Sequence, residues 1–205
     1  IAFIHAAKTR GVVIDRLLSD EYGQVSVDAL AERLQRADDV ALVSLTHVPT
    51  NGGLVNPAAA IGRLTRAADV PFLVDACQSA GQLNVDVDEI GCDFLSATGR
   101  KYLRGPRGTG FLYARPSILD RVTPSQPDHH GAKWSSTDDY TFAAGAQRFE
   151  YGEFSHAGWL GLGAAVDVVH PQSTPYLRPE SMITVPKEGW LSDLAWTCMY
   201  TDMYV

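Results

Sequence analysis

Four short apolar runs, set between stretches whose apolar residues recur at helical spacing, constrain this chain more than any other feature. They fall at 40–45, 71–74, 93–96 and 109–113. Runs of that length bounded by turn residues read as strands buried on both faces. Ser26 caps a helix over 27–36, where Val27, Leu30, Ala31 and Leu34 share one face. Asn56 before Pro57 predicts an N-cap and first turn for a second helix running to about Asp69. Strands alternating with helices over some 120 residues imply a three-layer α/β architecture. Its sheet is mostly parallel, with helices on both faces.

The flanks read less regularly. The chain opens in helical spacing that Gly11 closes, and Val12-Val13-Ile14-Asp15 reads as a further strand. Residues 124–140 read as loop and 155–169 as one more helix. From His170 the character changes. His170-Pro171-Gln172-Ser173-Thr174-Pro175 stops the helix, and Met182, Met199 and Met203 are the chain's three methionines. We expect residues 1–169 to form a large domain lacking its N-terminal part. Residues 170–205 are expected to be an atypical tail, too short for a small domain with its own core and cleaved early near 171–179.

Charge and cysteine usage narrow the function classes. Seventeen basic against 24 acidic residues give a formal net charge of −7, which lacks the footprint of a nucleic-acid binder. No run approaches the roughly 20 apolar residues of a membrane span. Three cysteines without CxxC spacing argue against a disulfide scaffold or a zinc site, and fit a reducing cytoplasm. His129-His130 has no third ligand spaced to help it and reads as a solvated loop. Gly161 and Gly163 lie inside a helical stretch and read as close helix packing.

Open α/β sheets bind ligands beyond the carboxyl ends of their strands. The polar residues that follow strands here are Thr46, His47, Thr50, Asp75, Gln78, Thr98, Arg100 and Lys101. An acid at one strand end and a lysine after the next strand can meet over one crevice. A lysine becomes a nucleophile when burial or a cationic neighbour lowers its pKa, and Arg100 is such a neighbour. An acid facing a pyridine nitrogen keeps that nitrogen protonated and makes the ring an electron sink.

Three ordered motifs carry a family resemblance. They are Thr46-His47-Val48 with Gly53 and Asn56-Pro57; Val74-Asp75 with Gln78-Ser79 and Gly81; and Lys101 with Gly105-Pro106, Gly108 and Gly110. Together they resemble the class V, fold type I pyridoxal-phosphate enzymes, a group that includes cysteine desulfurases, isopenicillin N epimerase-like proteins and hercynylcysteine sulfoxide lyases. The resemblance implies pyridoxal 5'-phosphate held by Lys101 as a Schiff base, with Lys101 also shuttling the substrate Cα proton. It implies Asp75 on the pyridinium nitrogen, Gln78 on the phenolic oxygen, and Thr98 and Arg100 on the phosphate. Thr50 stands where desulfurases place an asparagine near that phenolic oxygen, and His47 adjoins the same site. Desulfurases usually carry histidine where this chain has Arg100, which leans towards the epimerase and sulfoxide-lyase side.

The implied function is C–S cleavage of an amino-acid substrate, with cysteine desulfurase, epimerase or aminotransferase activity as alternatives. A reading of another class is a non-catalytic truncated fragment. In the family, the aromatic residue that stacks on the cofactor would precede Ile1, and the substrate-binding arginine comes from the small domain. Residues 148–153 resemble the stretch that reaches a partner subunit, so the full-length protein is expected to be a homodimer.

Overall fold

The computed structural model describes residues 1–169. The expectations for the 170–205 tail lie outside the described residues. Among the described residues, five α-helices and six strands follow one another as α1 (Ala2–Arg10), α2 (Val27–Leu34), β1 (Val43–Thr46), α3 (Ala58–Ala67), β2 (Phe72–Asp75), α4 (Val87–Ile90), β3 (Phe94–Thr98), β4 (Gly110–Ala114), β5 (Ala132–Trp134), β6 (Tyr140–Phe142) and α5 (His156–Val169). Two 3-10 helices, Pro116–Arg121 and Gly145–Phe149, flank the hairpin of β5 and β6.

The main sheet has the order β1-β2-β3-β4. The first three strands are parallel, and β4 runs antiparallel to β3. Side-chain alternation divides the core in two. Leu45, Phe72, Val74, Leu95, Ala97 and Phe111 face a layer formed by Leu30, Ile61, Ile90, Leu162 and Val166 of α2, α3, α4 and α5. Leu73, Phe94, Leu112 and Ala114 face the two 3-10 helices through Ile118, Leu119, Ala146 and Phe149. The expected layers are present, although 3-10 turns rather than α-helices cover the second face.

Three local expectations are corrected. The run Val12–Asp15 is not a strand: Val13 is 88% exposed, and no ladder pairs with it. A β-branched run without a neighbouring strand has nowhere to place its backbone hydrogen bonds. Asn56 does not cap α3, whose N-cap position is Pro57 without a side-chain bond. Its carboxamide instead accepts from the Val25 N–H at 2.9 Å and donates to the Thr46 carbonyl at 2.8 Å, tying the entry of α2 to the end of β1. Within the expected loop 124–140, β5 and the start of β6 pair antiparallel around the turn at 135–139. Ser26 behaves as expected, its Oγ accepting from the Ala29 N–H at 3.1 Å.

Candidate functional site

The carboxyl ends of β1, β2 and β3 lie side by side. Thr46 pairs in register with Asp75, and Asp75 with Ser96, two residues before Thr98. Each strand delivers its motif to this edge. Beyond β1 come His47 and Thr50, beyond β2 the turn at 77–79, and beyond β3 the turn carrying Arg100 and Lys101.

Asp75 is only 6% exposed, and its Oδ1 accepts from the Cys77 N–H at 2.9 Å. That bond bends the chain sharply after β2 and presents Gln78 outward. Gln78 Nε2 donates to Thr50 Oγ1 at 3.0 Å, so the two residues expected near one ligand oxygen meet each other. Thr98 and Arg100 are partly buried, and Arg100 forms no ion pair among the described residues. Burial holds the Lys101 ammonium below the ordinary lysine pKa; the neighbouring Cys77 and Asp75 oppose this, and Arg100 adds to it. The amine is thereby made available as a neutral base and nucleophile at lower pH. Cys92 offers no competing nucleophile, since burial pushes its thiol up to about 12.

Close backbone approach fixes the separation of the two turns. Gly81, with φ +92°, packs so tightly on the lysine turn that an added Cβ would lie 2.6 Å from the Tyr102 carbonyl carbon. On the other side of Lys101, a Cβ on Gly105 would lie 2.8 Å from Leu162 Cδ1 of α5, and one on Gly161 would lie 2.8 Å from Pro106 Cγ. Gly161 therefore does serve close packing, whereas Gly163 faces open space.

His47 lies elsewhere than the sequence suggests. It is 8% exposed, and its Nδ1 is 3.0 Å from Ser79 Oγ. Its ring lines a separate cavity of about 330 Å³ with Pro57, Ala58, Asn84, Asp86 and Glu89, on the helix-covered side of the sheet. The ring supports the turn at 77–79 from behind. Burial lowers its pKa, so below about pH 6.5 the unfolded chain takes up a proton that the folded chain refuses. Stability should therefore fall as pH drops through and below that value. Urea midpoints from about pH 7.5 to about 5.5 check this, and His47→Gln should flatten the slope.

Residues 1–176 match the aminotransferase class-V family. The chain belongs to that family. This class-V chain is 33% identical over 163 residues to a probable cysteine desulfurase of Methanothermobacter thermautotrophicus, covering 80% of the chain and 40% of the relative. It is 38% identical over 148 residues to a cysteine desulfurase of Yersinia pestis, covering 72% and 36% respectively. The chain thus spans about 40% of the length of the curated relatives it matches.

Among solved structures, an apo cysteine desulfurase from Thermococcus onnurineus superposes with a TM-score of 0.73 at 27% identity, over 82% of this chain and 41% of that one. The cystine C-S lyase C-DES, solved with its product cysteine persulfide, gives 0.63 at 31% identity over 71% and 39%. A variant of that lyase was solved with glycine covalently linked to its PLP cofactor. The sheet and helices of this class-V chain are therefore part of the fold that those structures share.

Ser79, Gly81 and Ser96 are the site-shaping residues that sequence reading passes over. Ser79 and Gly81 stand inside the quoted motif. Ser96 could have been found from period-2 alternation with Thr98. His129 is exposed, and His130 bonds Glu150 at 3.0 Å. No group of three potential metal ligands occurs among the described residues.

Proposed function

We propose that this chain forms the cofactor-binding part of a pyridoxal-phosphate enzyme that cleaves a C–S bond in an amino-acid substrate. The observation that carries this reading is the pairing of Lys101, its amine made less basic by burial, with the buried carboxylate of Asp75 across adjacent strand ends. The donor set fits the cofactor chemically: an amine for an aldehyde, a carboxylate for a ring nitrogen, and a hydroxyl and guanidinium for a phosphate.

When bound, pyridoxal phosphate supplies an aldehyde for the amine and an electron-withdrawing ring that stabilises charge left at the substrate Cα. Lys101 would hold it covalently and, as a neutral amine, move the proton at Cα. Asp75 would keep a proton on the ring nitrogen. Gln78 and Thr50 would meet the phenolic oxygen, while Thr98 and Arg100 would take the phosphate. His47 acts through Ser79 by holding the turn that carries Gln78.

Similarity to cysteine desulfurases favours cysteine desulfuration as the second reading, with epimerase or aminotransferase chemistry of the same family behind it. A homodimer in the full-length protein is supported by the hairpin of β5 and β6, where Trp134 is 92% exposed. The buried thiol of Cys92 supports a cytoplasmic setting. No described helix is long and apolar enough to cross a membrane.

The test is to add pyridoxal phosphate to the purified chain, desalt it, and record the visible spectrum. A retained band is expected. Its loss on desalting would favour a non-catalytic fragment. Asp75→Asn should retain the covalent link yet slow exchange of the substrate Cα proton sharply, measured in deuterated solvent.

A further inference from the structure

Ser96 has a hydroxyl that the fold itself does not use. The residue is 1% exposed, and its Oγ has no hydrogen-bond partner among the described residues. Leaving a buried hydroxyl unsatisfied is costly, and such groups in native proteins call for a reason. The position of Ser96 supplies one. It is the register partner of Asp75 on the adjacent parallel strand, and neighbouring strands lie about 4.8 Å apart. Leu73 and Phe94, two residues before Asp75 and Ser96, both enter the core beneath the 3-10 helices. Alternation therefore puts Asp75, Ser96 and Thr98 on that same face. A carboxylate is thus flanked, in a water-poor setting, by a hydroxyl donor that bonds nothing else among the described residues.

We infer that Ser96 is a positioning residue for Asp75. Its hydroxyl turns to the Asp75 carboxylate when a pyridinium nitrogen engages that group, and it keeps the carboxylate ionised and aimed at the ring. Without such a ligand the hydroxyl is a local cost to the fold, as groups kept for function often are. The inference rests on the proposed cofactor reading. It adds a residue that touches neither substrate nor cofactor and acts through Asp75.

Two measurements on the 205-residue chain test it. Without cofactor, Ser96→Ala should raise the melting temperature by a few degrees, because an unsatisfied hydroxyl is removed. With pyridoxal phosphate labelled at its ring nitrogen, the wild-type 15N resonance should lie at the protonated position. In Ser96→Ala it should move towards the neutral-pyridine position, with cofactor affinity roughly tenfold weaker. Ser96→Thr, which keeps the hydroxyl, should restore both. A lower melting temperature in Ser96→Ala, or an unmoved 15N resonance beside a bound wild type, would overturn the role of Ser96 while leaving the cofactor reading intact. A wild-type chain that takes up no cofactor would overturn both.

Discussion

Lys101→Ala is expected to remove every borohydride-stable pyridoxal phosphate adduct from the chain. The sequence contains three other lysines, Lys8, Lys133 and Lys187. Lys8 stands exposed on α1 and Lys133 exposed on β5, neither of them at the strand ends that carry Asp75 and Thr98. Lys101 differs because burial lowers its pKa beside Arg100. Peptide mapping after reduction should find the label on Lys101 in the wild type and on no peptide in the variant. The rate of adduct formation should rise with pH and reach half its maximum below the ordinary lysine value of 10.5. Arg100→Met should move that midpoint upward, since Arg100 favours the neutral amine. Label on Lys8 or Lys133 in the wild type would refute the assignment.

Gly81→Ala should be the most damaging single methyl group near the site. The new Cβ would sit 2.6 Å from Tyr102 C and 2.7 Å from Leu103 N, both backbone atoms that cannot swing aside as a side-chain end can. The residue also holds φ +92°, where an L side chain is strained. Overpacking and backbone strain together should cost about 2–4 kcal/mol, read from urea unfolding. The lysine turn would be pushed away from the Asp75 turn, so cofactor affinity should fall as well. Gly108→Ala offers a comparison: it has a similar positive φ of +80° but open space around it. It should show the strain without the clash, and retain affinity.

The strands at 71–74 and 93–96 were legible because both faces of β2 and β3 are buried, which leaves an apolar run that nothing else explains. The strand ends followed from the same runs, and the polar residues just past them gave Asp75 and Lys101. Val12–Asp15 misled because strand formation needs a partner, and sequence shows propensity without the partner. Asn56 misled because a carboxamide has donors and acceptors enough for several uses, and tertiary partners took them. The side of the sheet on which His47 lies depends on where β1 stops. A one-residue shift in that boundary reverses the facing of every residue after it. Alternation puts Ser96 on one face with Thr98, but that its hydroxyl is buried and without a partner among the described residues is visible only in three dimensions.

Leu162 sits about 60 residues after the lysine turn, yet it touches that turn at Gly99 and Gly105. During synthesis on a ribosome, β2 and β3 emerge with Asp75 and Lys101 several seconds before α5 leaves the exit tunnel. In that interval the loop from Gly99 to Gly110 lacks its contact with Leu162. When α5 docks, Leu162 closes against Gly99 and Gly105, the glycines on either side of Lys101 in that turn. The last helix of the described chain therefore sets the moment at which the nascent protein completes its lysine turn.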